Sequence, residues 1–321
     1  MVQCQQFGPL RDLRLVTVES PPLSAGQVRV AVAAAGVNFV DALIVQGRYQ
    51  IKPATPFVPG SEVVGRVSEV GADVPDVAVG DRVVVTTWIG GFADEVVARP
   101  AQLLAVPDEI TDGQAATFLQ SYATAWFALR RRADAAAGQR LLVLGAGGGV
   151  GLAAVDVGAA LGLRVIAAAS SADKRALAEA RGAEALIDTS TEDVKERARE
   201  LGGGAVDLVY DPVGGDAAAA CLRALDEDGQ YLVVGFASGP IPQLPANQVL
   251  LRNRRVTGVD WGAWSATHPD DNRAMLGEIL DAVVAHQLRP TEPSTFPLSR
   301  AAEALEALST RRVAGKVALV P

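Results

Sequence analysis

The sequence predicts an α/β protein in which a doubly wound parallel sheet is inserted into a partly open β-barrel. Three observations carry this. Gln139–Ile187 reads as strand, glycine-rich turn, helix and strand in close succession. Apolar runs and Ala/Leu-rich helical stretches then alternate as far as His286. On both sides lie short β-like runs broken by Pro, Gly and Asp, so both ends of the chain build the barrel. The expected division is 1–120 with 288–321, and 121–287.

From the amino terminus, Leu13–Val18, Gln27–Ala33, Glu62–Val70, Arg82–Thr87 and Ala93–Ala98 read as strands. Val37–Gly47 predicts a helical turn or more, and Lys52–Gly60 a Pro-rich loop. A helix is expected over Asp112–Arg132, with Thr111 as N-cap and Gln114 closing a capping box. The Leu141–Leu144 run suits a strand buried on both faces. A helix, Val150–Leu161, ends at Gly162, and a second strand covers Arg164–Ala168. Further strands are expected at Ala185–Ile187, Val206–Tyr210, Gly229–Val234 and Arg255–Val259, making six. Intervening helices include Asp193–Glu200 and Asp216–Leu225, and a long one follows at Asn272–His286. The tail adds a helix, Arg300–Leu308, and a last strand, Gly315–Val320.

Composition narrows the function classes. Nearly half of the 321 residues are apolar and no run is long enough for a membrane span, so a globular protein is expected. Met1–Gln6 has no signal-peptide layout. A net charge of −8 argues against nucleic acid and anionic membranes as partners. Cys4 and Cys221 are the only cysteines, which permits no disulfide framework or zinc knuckle and points to a reducing cytoplasm. His268 and His286 lack Cys or Glu companions at ligand spacing.

The glycine turn carries the first chemical signal. Aligned on GxGxxG, it places Ala146, Gly148 and Gly151 at the three glycine positions. Gly148, Gly149 and Val150 would bring backbone N–H groups and the positive end of a helix to a pyrophosphate. The end of the next strand selects the cofactor. An NAD site wants an acid there for the ribose 2′-hydroxyl, whereas this chain has Ser170, Ser171, Ala172, Asp173, Lys174 and Arg175. Two hydroxyls and two cations suit the 2′-phosphate of NADPH.

Several motifs taken together resemble the zinc-free quinone oxidoreductase branch, the zeta-crystallin-like branch, of the medium-chain dehydrogenase/reductase superfamily. They are GVNFVDALIVQGRY (Gly36–Tyr49), PFVPGSEVVGRVSEVG (Pro56–Gly71), GDRV (Gly80–Val83), YATAWFAL (Tyr122–Leu129), GAGGGVG (Gly145–Gly151), YDPVGG (Tyr210–Gly215) and AGKVAL (Ala314–Leu319). The resemblance covers nearly the whole chain. It implies a six-stranded Rossmann sheet inserted into a GroES-like catalytic domain. In the alcohol-dehydrogenase branch a Cys, a His and a later Cys hold catalytic zinc; the matching positions here are Asn38, Ser61 and Gln120, none a good zinc ligand. Without a Lewis acid, hydride transfer to an easily reduced quinone or α,β-unsaturated carbonyl is the implied chemistry.

By the same resemblance Asn38, Asp41 and Tyr49 line the reaction site. Asn38 would donate to the acceptor oxygen or to the cofactor carboxamide. Tyr49 would be a proton donor, as in related 2-enoyl thioester reductases. Asp41 reads better as a helix-start acid or one that supports a lining residue, and Tyr122 sits beside the cleft in the family pattern, though core packing explains it equally well. Thr124 is a further cofactor contact. Others follow the fourth and fifth strands, at Asp211, Val213, Gly235, Phe236, Ala237 and Ser238. Asp260 and Trp261 follow the sixth strand, and Lys316 reaches in from the tail. Thr189 stands where many relatives have a tyrosine near the adenine. A homodimer paired through Val256–Val259 is also implied. Two other readings use the same fold. One is a 2-enoyl-CoA reductase with Arg48, Arg252, Arg254 and Arg255 as candidates for the CoA phosphates. The other is a non-catalytic NADPH-binding protein.

Overall fold

Two short strands, β1 (Val2–Gln3) and β2 (Arg14–Leu15), pair antiparallel ahead of a ten-residue strand, β3 (Val28–Val37). The computed structural model describes residues 1–321. They group as two units, Met1–Leu119 with Thr291–Pro321, and Gln120–Pro290.

In the first unit α1 (Phe39–Val45) follows β3, then β4 (Glu62–Val70), β5 (Arg82–Thr86), β6 (Glu95–Ala98) and β7 (Leu103–Ala105). One edge of β3 pairs along its length with β4, from Val28 opposite Val70 to Gly36 opposite Glu62. Its other edge is shared. Residues Val28–Ala31 take β6, while Ala35–Val37 take a strand from the far end of the chain. Val-rich alternation supplies the core of this sheet, with Val28, Val30, Val63, Val67, Val83 and Val85 all buried.

The chain crosses to the second unit on α2 (Asp112–Trp126), which continues as a π-helical stretch, Phe127–Arg132. The start of α2 is closed as expected: Gln114 N–H donates to Thr111 Oγ1 and Thr111 N–H to Gln114 Oε1, both at 3.1 Å. Then β and α elements alternate: β8 (Arg140–Leu144), α3 (Gly149–Ala160), β9 (Arg164–Ala169), α4 (Ala172–Ala180), β10 (Ala185–Asp188), α5 (Val194–Leu201), β11 (Val206–Asp211), α6 (Ala217–Ala224) and β12 (Leu225–Val233). After them come α7 (Ala246–Leu250), β13 (Arg255–Gly258), α8 (Trp261–Thr267) and α9 (Pro269–Val284). The six strands are parallel in the order β10-β9-β8-β11-β12-β13. Leu141, Leu142 and Val143 are wholly buried, as a central strand covered on both faces requires. Each such side chain is worth about 1.5–3 kcal/mol of burial.

The tail returns to the first unit as β14 (Ser294–Pro297), α10 (Ala301–Ser309) and β15 (Val317–Val320). The strand β15 fills the vacant half-edge of β3, with Val317 opposite Val37 and Leu319 opposite Ala35, and β14 pairs beyond it.

Some boundaries differ from expectation. The strand β3 runs four residues past Ala33, so α1 starts at Phe39 and not Val37. β12 begins at Leu225, ahead of the acidic Asp226–Asp228 run that masks it in the sequence. β2 keeps only Arg14–Leu15 of the Leu13–Val18 run. The sequence gives no sign of β1, β7, β14, α7 or α8. No helix is long and apolar enough to cross a membrane.

Candidate functional site

The parallel sheet reverses its winding between β8 and β11, and the carboxyl ends of strands at such a point are where open α/β sheets take ligands. The glycine turn after β8 lies there. A Cβ on Gly151 would stand 2.3 Å from the carbonyl oxygen of Gly145, so only glycine lets α3 start this close to the turn. Gly148, the N-cap residue of α3, is different: a Cβ there would meet nothing nearer than 3.5 Å. The first is closed by packing and the second open, which is what a pyrophosphate cradle needs. The initial N–H groups of α3, from Gly149 and Val150 onward, have no acceptor within the helix and suit phosphate oxygens.

The loops after β11 and β12 are tied together beside this turn. Asp211 is buried, and its Oδ1 accepts the N–H groups of Val213 (2.7 Å) and Gly214 (2.9 Å). Its Oδ2 accepts the Tyr231 hydroxyl. Asp211 thus shapes the loop with its side chain turned inward. Val213 faces Gly145, where its Cγ2 would be 2.8 Å from an added Cβ. Ala237 N–H donates to Pro212 O, and Ser238 N–H to Val213 O, so Gly235, Phe236, Ala237 and Ser238 are held against the β11 loop.

At the end of β9, Ser170 and Ser171 are exposed and Ser171 is the N-cap residue of α4. The Lys174 side chain lies over Gly147, its Cβ 2.4 Å from where a glycine-replacing Cβ would be. Arg175 donates to Ala169 O at 3.2 Å and pairs with Asp188 at 3.1 Å. Both cations therefore border the glycine turn or the β9 end, with Arg175 held by an acid. Thr124 Oγ1 donates back to Gln120 O within α2. Asp260 caps α8 through Ala263 N–H, and Trp261 Nε1 donates to Asn272.

Tyr122 is a core residue. Buried, it donates its hydroxyl to Asp156 Oδ2 at 2.6 Å, and the same oxygen accepts Arg289 N–H at 2.6 Å. Burial and the neighbouring Asp156 push its phenol well above the ordinary value. Arg254 also departs from expectation. Its guanidinium is buried and donates to Leu225 O (2.7 Å) and Gln248 O (3.3 Å), so it is spent inside the fold and is withdrawn from any phosphate site. Arg48, Arg252 and Arg255 remain exposed.

The first unit contributes a buried polar cluster at the ends of three neighbouring strands. Asn38 follows β3, Glu62 begins β4 and Lys316 precedes β15. Lys316 Nζ donates to Asn38 Oδ1 at 2.7 Å, Asn38 Nδ2 donates to Glu62 Oε1 at 3.4 Å, and Lys316 Nζ stands 3.8 Å from Glu62 Oε1. Asn38 N–H donates to Asp41 Oδ2 at 2.7 Å, which opens α1 with Asp41 as its start acid. All four residues are 7% exposed or less. Burial, reinforced by Glu62, raises the Asp41 carboxyl to about 7, against the opposing pull of the Asn38 N–H and Lys316. Burial lowers the Lys316 ammonium, with Glu62 and Asp41 partly restoring it. Tyr49 is half-buried and packs on the edge of the apolar core. No group of three or more His, Cys, Asp or Glu side chains is gathered to hold a metal.

Sequence reasoning named Asn38, Asp41 and Lys316 separately but did not single out Glu62. An acidic residue opening the otherwise apolar Val63–Val64 run is the signal that could have found it.

Comparison with known proteins decides the family. Residues 24–108 match the alcohol dehydrogenase GroES-like domain, and 149–280 the zinc-binding dehydrogenase family. A quinone oxidoreductase-like protein 2 homolog from Nematostella vectensis is 39% identical over 99% of this chain and 88% of its own. The chain belongs to the quinone oxidoreductase branch of the medium-chain dehydrogenase/reductase superfamily. Among solved members of that branch, the Escherichia coli quinone oxidoreductase complexed with NADPH is 27% identical, with a TM-score of 0.91 over 100% of this chain and 99% of its own. A mycobacterial protein complexed with NADPH is 31% identical, with a TM-score of 0.92 over 100% and 99% of the two chains. For a quinone oxidoreductase-type fold, the six-stranded parallel sheet and the GroES-like sheet seen here are the defining parts.

Proposed function

We propose that this protein is an NADPH-dependent reductase that delivers hydride to a quinone or an α,β-unsaturated carbonyl without a metal ion. One observation carries the reading. The position that would hold a zinc-ligating Cys is Asn38, a buried amide held by Lys316 and Glu62, with Ser61 and Gln120 at the other two ligand positions. Such a donor set suits hydrogen bonding and not Zn²⁺.

The glycine turn supports the cofactor assignment, since Gly148 is open and α3 begins beside it. Ser170, Ser171, Lys174 and Arg175 would take the 2′-phosphate, as hydroxyl and cationic donors do. NADPH, when bound, supplies the hydride. The chain's own task is to orient the acceptor and to meet the charge that develops on it. Asn38 would donate an N–H to the carbonyl oxygen, where that charge gathers. For an enone, the electron pair moved to oxygen returns as the α-carbon takes a proton, which the Tyr49 hydroxyl would give. For a quinone, the hydride brings both electrons and one hydrogen, and a single proton from solvent completes the hydroquinone.

The reading includes a homodimer paired through β13, an edge strand of the parallel sheet on which Val256 is 40% exposed. It also places the protein in the cytoplasm, where the free thiols of Cys4 and Cys221 stay reduced.

The test is NADPH oxidation by the metal-analysed protein with 9,10-phenanthrenequinone and, separately, crotonyl-CoA. Turnover with the quinone and no stoichiometric zinc is expected. Preference for the thioester would move the assignment to an enoyl-CoA reductase, and a zinc requirement or no turnover with either would sink it.

A further inference from the structure

A primary amide is nearly symmetric in shape, and a side chain free to flip presents C=O or NH₂ to a ligand with equal ease. Asn38 is not free to do so. Its Oδ1 accepts from Lys316 Nζ, a group with donors only, at 2.7 Å, and its Nδ2 faces Glu62 Oε1, which as a carboxylate only accepts. Reversing the amide would set NH₂ against an ammonium and C=O against a carboxylate. The two ions flank the amide on opposite ends and are themselves 3.8 Å apart.

The backbone is shaped for the arrangement. Gly36 stands directly opposite Glu62 in the β3–β4 ladder. A Cβ at position 36 would come within 2.8 Å of Glu62 Oε1, 2.9 Å of its Cγ and 2.1 Å of the Ala116 carbonyl oxygen. Only glycine leaves Glu62 room to lie under Asn38. Register does the rest, since Val317 pairs with Val37 and so sets Lys316 beside Asn38.

We propose that Lys316 and Glu62 are positioning residues, which lock the Asn38 amide so that it offers N–H, never C=O, to the acceptor oxygen. Glu62 uses one of the two Nδ2 hydrogens, leaving the second for the acceptor. The inference rests on the reductase reading above and adds to it a reason for two buried ions that touch no reacting atom. It also accounts for Lys316 without requiring that this residue reach the cofactor.

The experiment is a double-mutant cycle. Lys316→Met and the charge-balanced pair Lys316→Met/Glu62→Gln are each made in the wild-type and the Asn38→Ala backgrounds. The paired change leaves no lone ion in the fold if the single variant fails to fold. We expect kcat with 9,10-phenanthrenequinone to fall by about tenfold or more in the wild-type background, with the NADPH dissociation constant held within about twofold. In the Asn38→Ala background the same changes should alter kcat by less than about twofold. An equal loss in both backgrounds would overturn the proposal, because Lys316 and Glu62 would then act independently of the amide.

A readout independent of turnover is side-chain amide NMR on protein labelled at asparagine, of which the chain has four, Asn38, Asn247, Asn253 and Asn272. The Asn38 signals, assigned by their loss in Asn38→Ala, should be two separate protons in slow exchange with water. In the charge-balanced variant they should exchange rapidly. Unchanged exchange would refute the lock. An inactive wild type would sink the reductase reading, while the NMR result would still decide whether the ions hold the amide.

Discussion

The two units bury their acids among different partners. In the second, Asp156 and Asp211 are each 2% exposed or less and take their close hydrogen bonds from tyrosine hydroxyls and backbone N–H groups, with the Arg289 guanidinium 3.7 Å from Asp156 Oδ1. In the first, Glu62 stands 3.8 Å from the Lys316 ammonium, and Asp41 is buried beside them on the Asn38 N–H. Neutral donors suffice to pin one loop to another. A mixed-charge cluster costs desolvation of every member, and it makes sense where a side chain must be presented to a ligand in one orientation.

Breaking the charged cluster should do the most damage. Lys316→Met removes the ammonium that faces the buried Glu62 carboxylate and should cost about 3–5 kcal/mol in denaturant unfolding. A loss below about 1 kcal/mol would mean that the cluster is no more costly to disrupt than a surface pair. On the other side, Asp211→Ala leaves the Tyr231 hydroxyl and the N–H groups of Val213 and Gly214 without their acceptor. About 3 kcal/mol of stability should go, together with NADPH affinity measured by fluorescence, since the loop beside the glycine turn loses its shape.

Asp41 sharpens the contrast through pH. Its folded carboxyl holds a proton up to about 7, while the unfolded one releases it near the ordinary 3.8. Between those values the native state binds more protons, so stability falls as pH rises through the window, and the cost is complete above it. Asp41→Asn can still accept the Asn38 N–H. Its Tm should therefore rise relative to wild type from pH 5 to pH 8, by an amount equivalent to about 1–4 kcal/mol. A constant difference across that range would show that Asp41 is not held neutral. The smallest effect belongs to Tyr122→Phe, which removes the hydrogen bond to Asp156 and should cost about 1–2 kcal/mol while kcat stays unchanged. A fall in kcat would return Tyr122 to the reaction site.

Legibility followed the range of the interactions. The β8–α3–β9 unit and the Thr111/Gln114 cap could be read because their apolar runs, glycines and capping pair lie close together in sequence. The same holds for Glu62–Val70, whose bounds as β4 match expectation. The strand β14 was hidden because Ser294–Pro297 has neither alternation nor an apolar run; its place comes from pairing with β15. The helix α8 was hidden behind Gly262 and two tryptophans, which are poor helix signals, and it depends on the Asp260 cap. For the site, Asn38 and Asp41 could be named from their motif. Their association with Lys316 spans 278 positions and follows only from the register of β15 on β3. The inward turn of Arg254 depends on carbonyl groups that no local pattern marks.

The divided edge of β3 has a consequence for biosynthesis. Ala35–Val37 waits for Val317–Leu319, so the half-edge stays open on the ribosome until that distant strand has been made. The parallel sheet, encoded entirely between Gln120 and Pro290, can finish folding sooner. Lys316 arrives with the strand that seals the edge. A product cut before Val317 would therefore keep every strand of the parallel sheet while leaving half of one β3 edge unpaired.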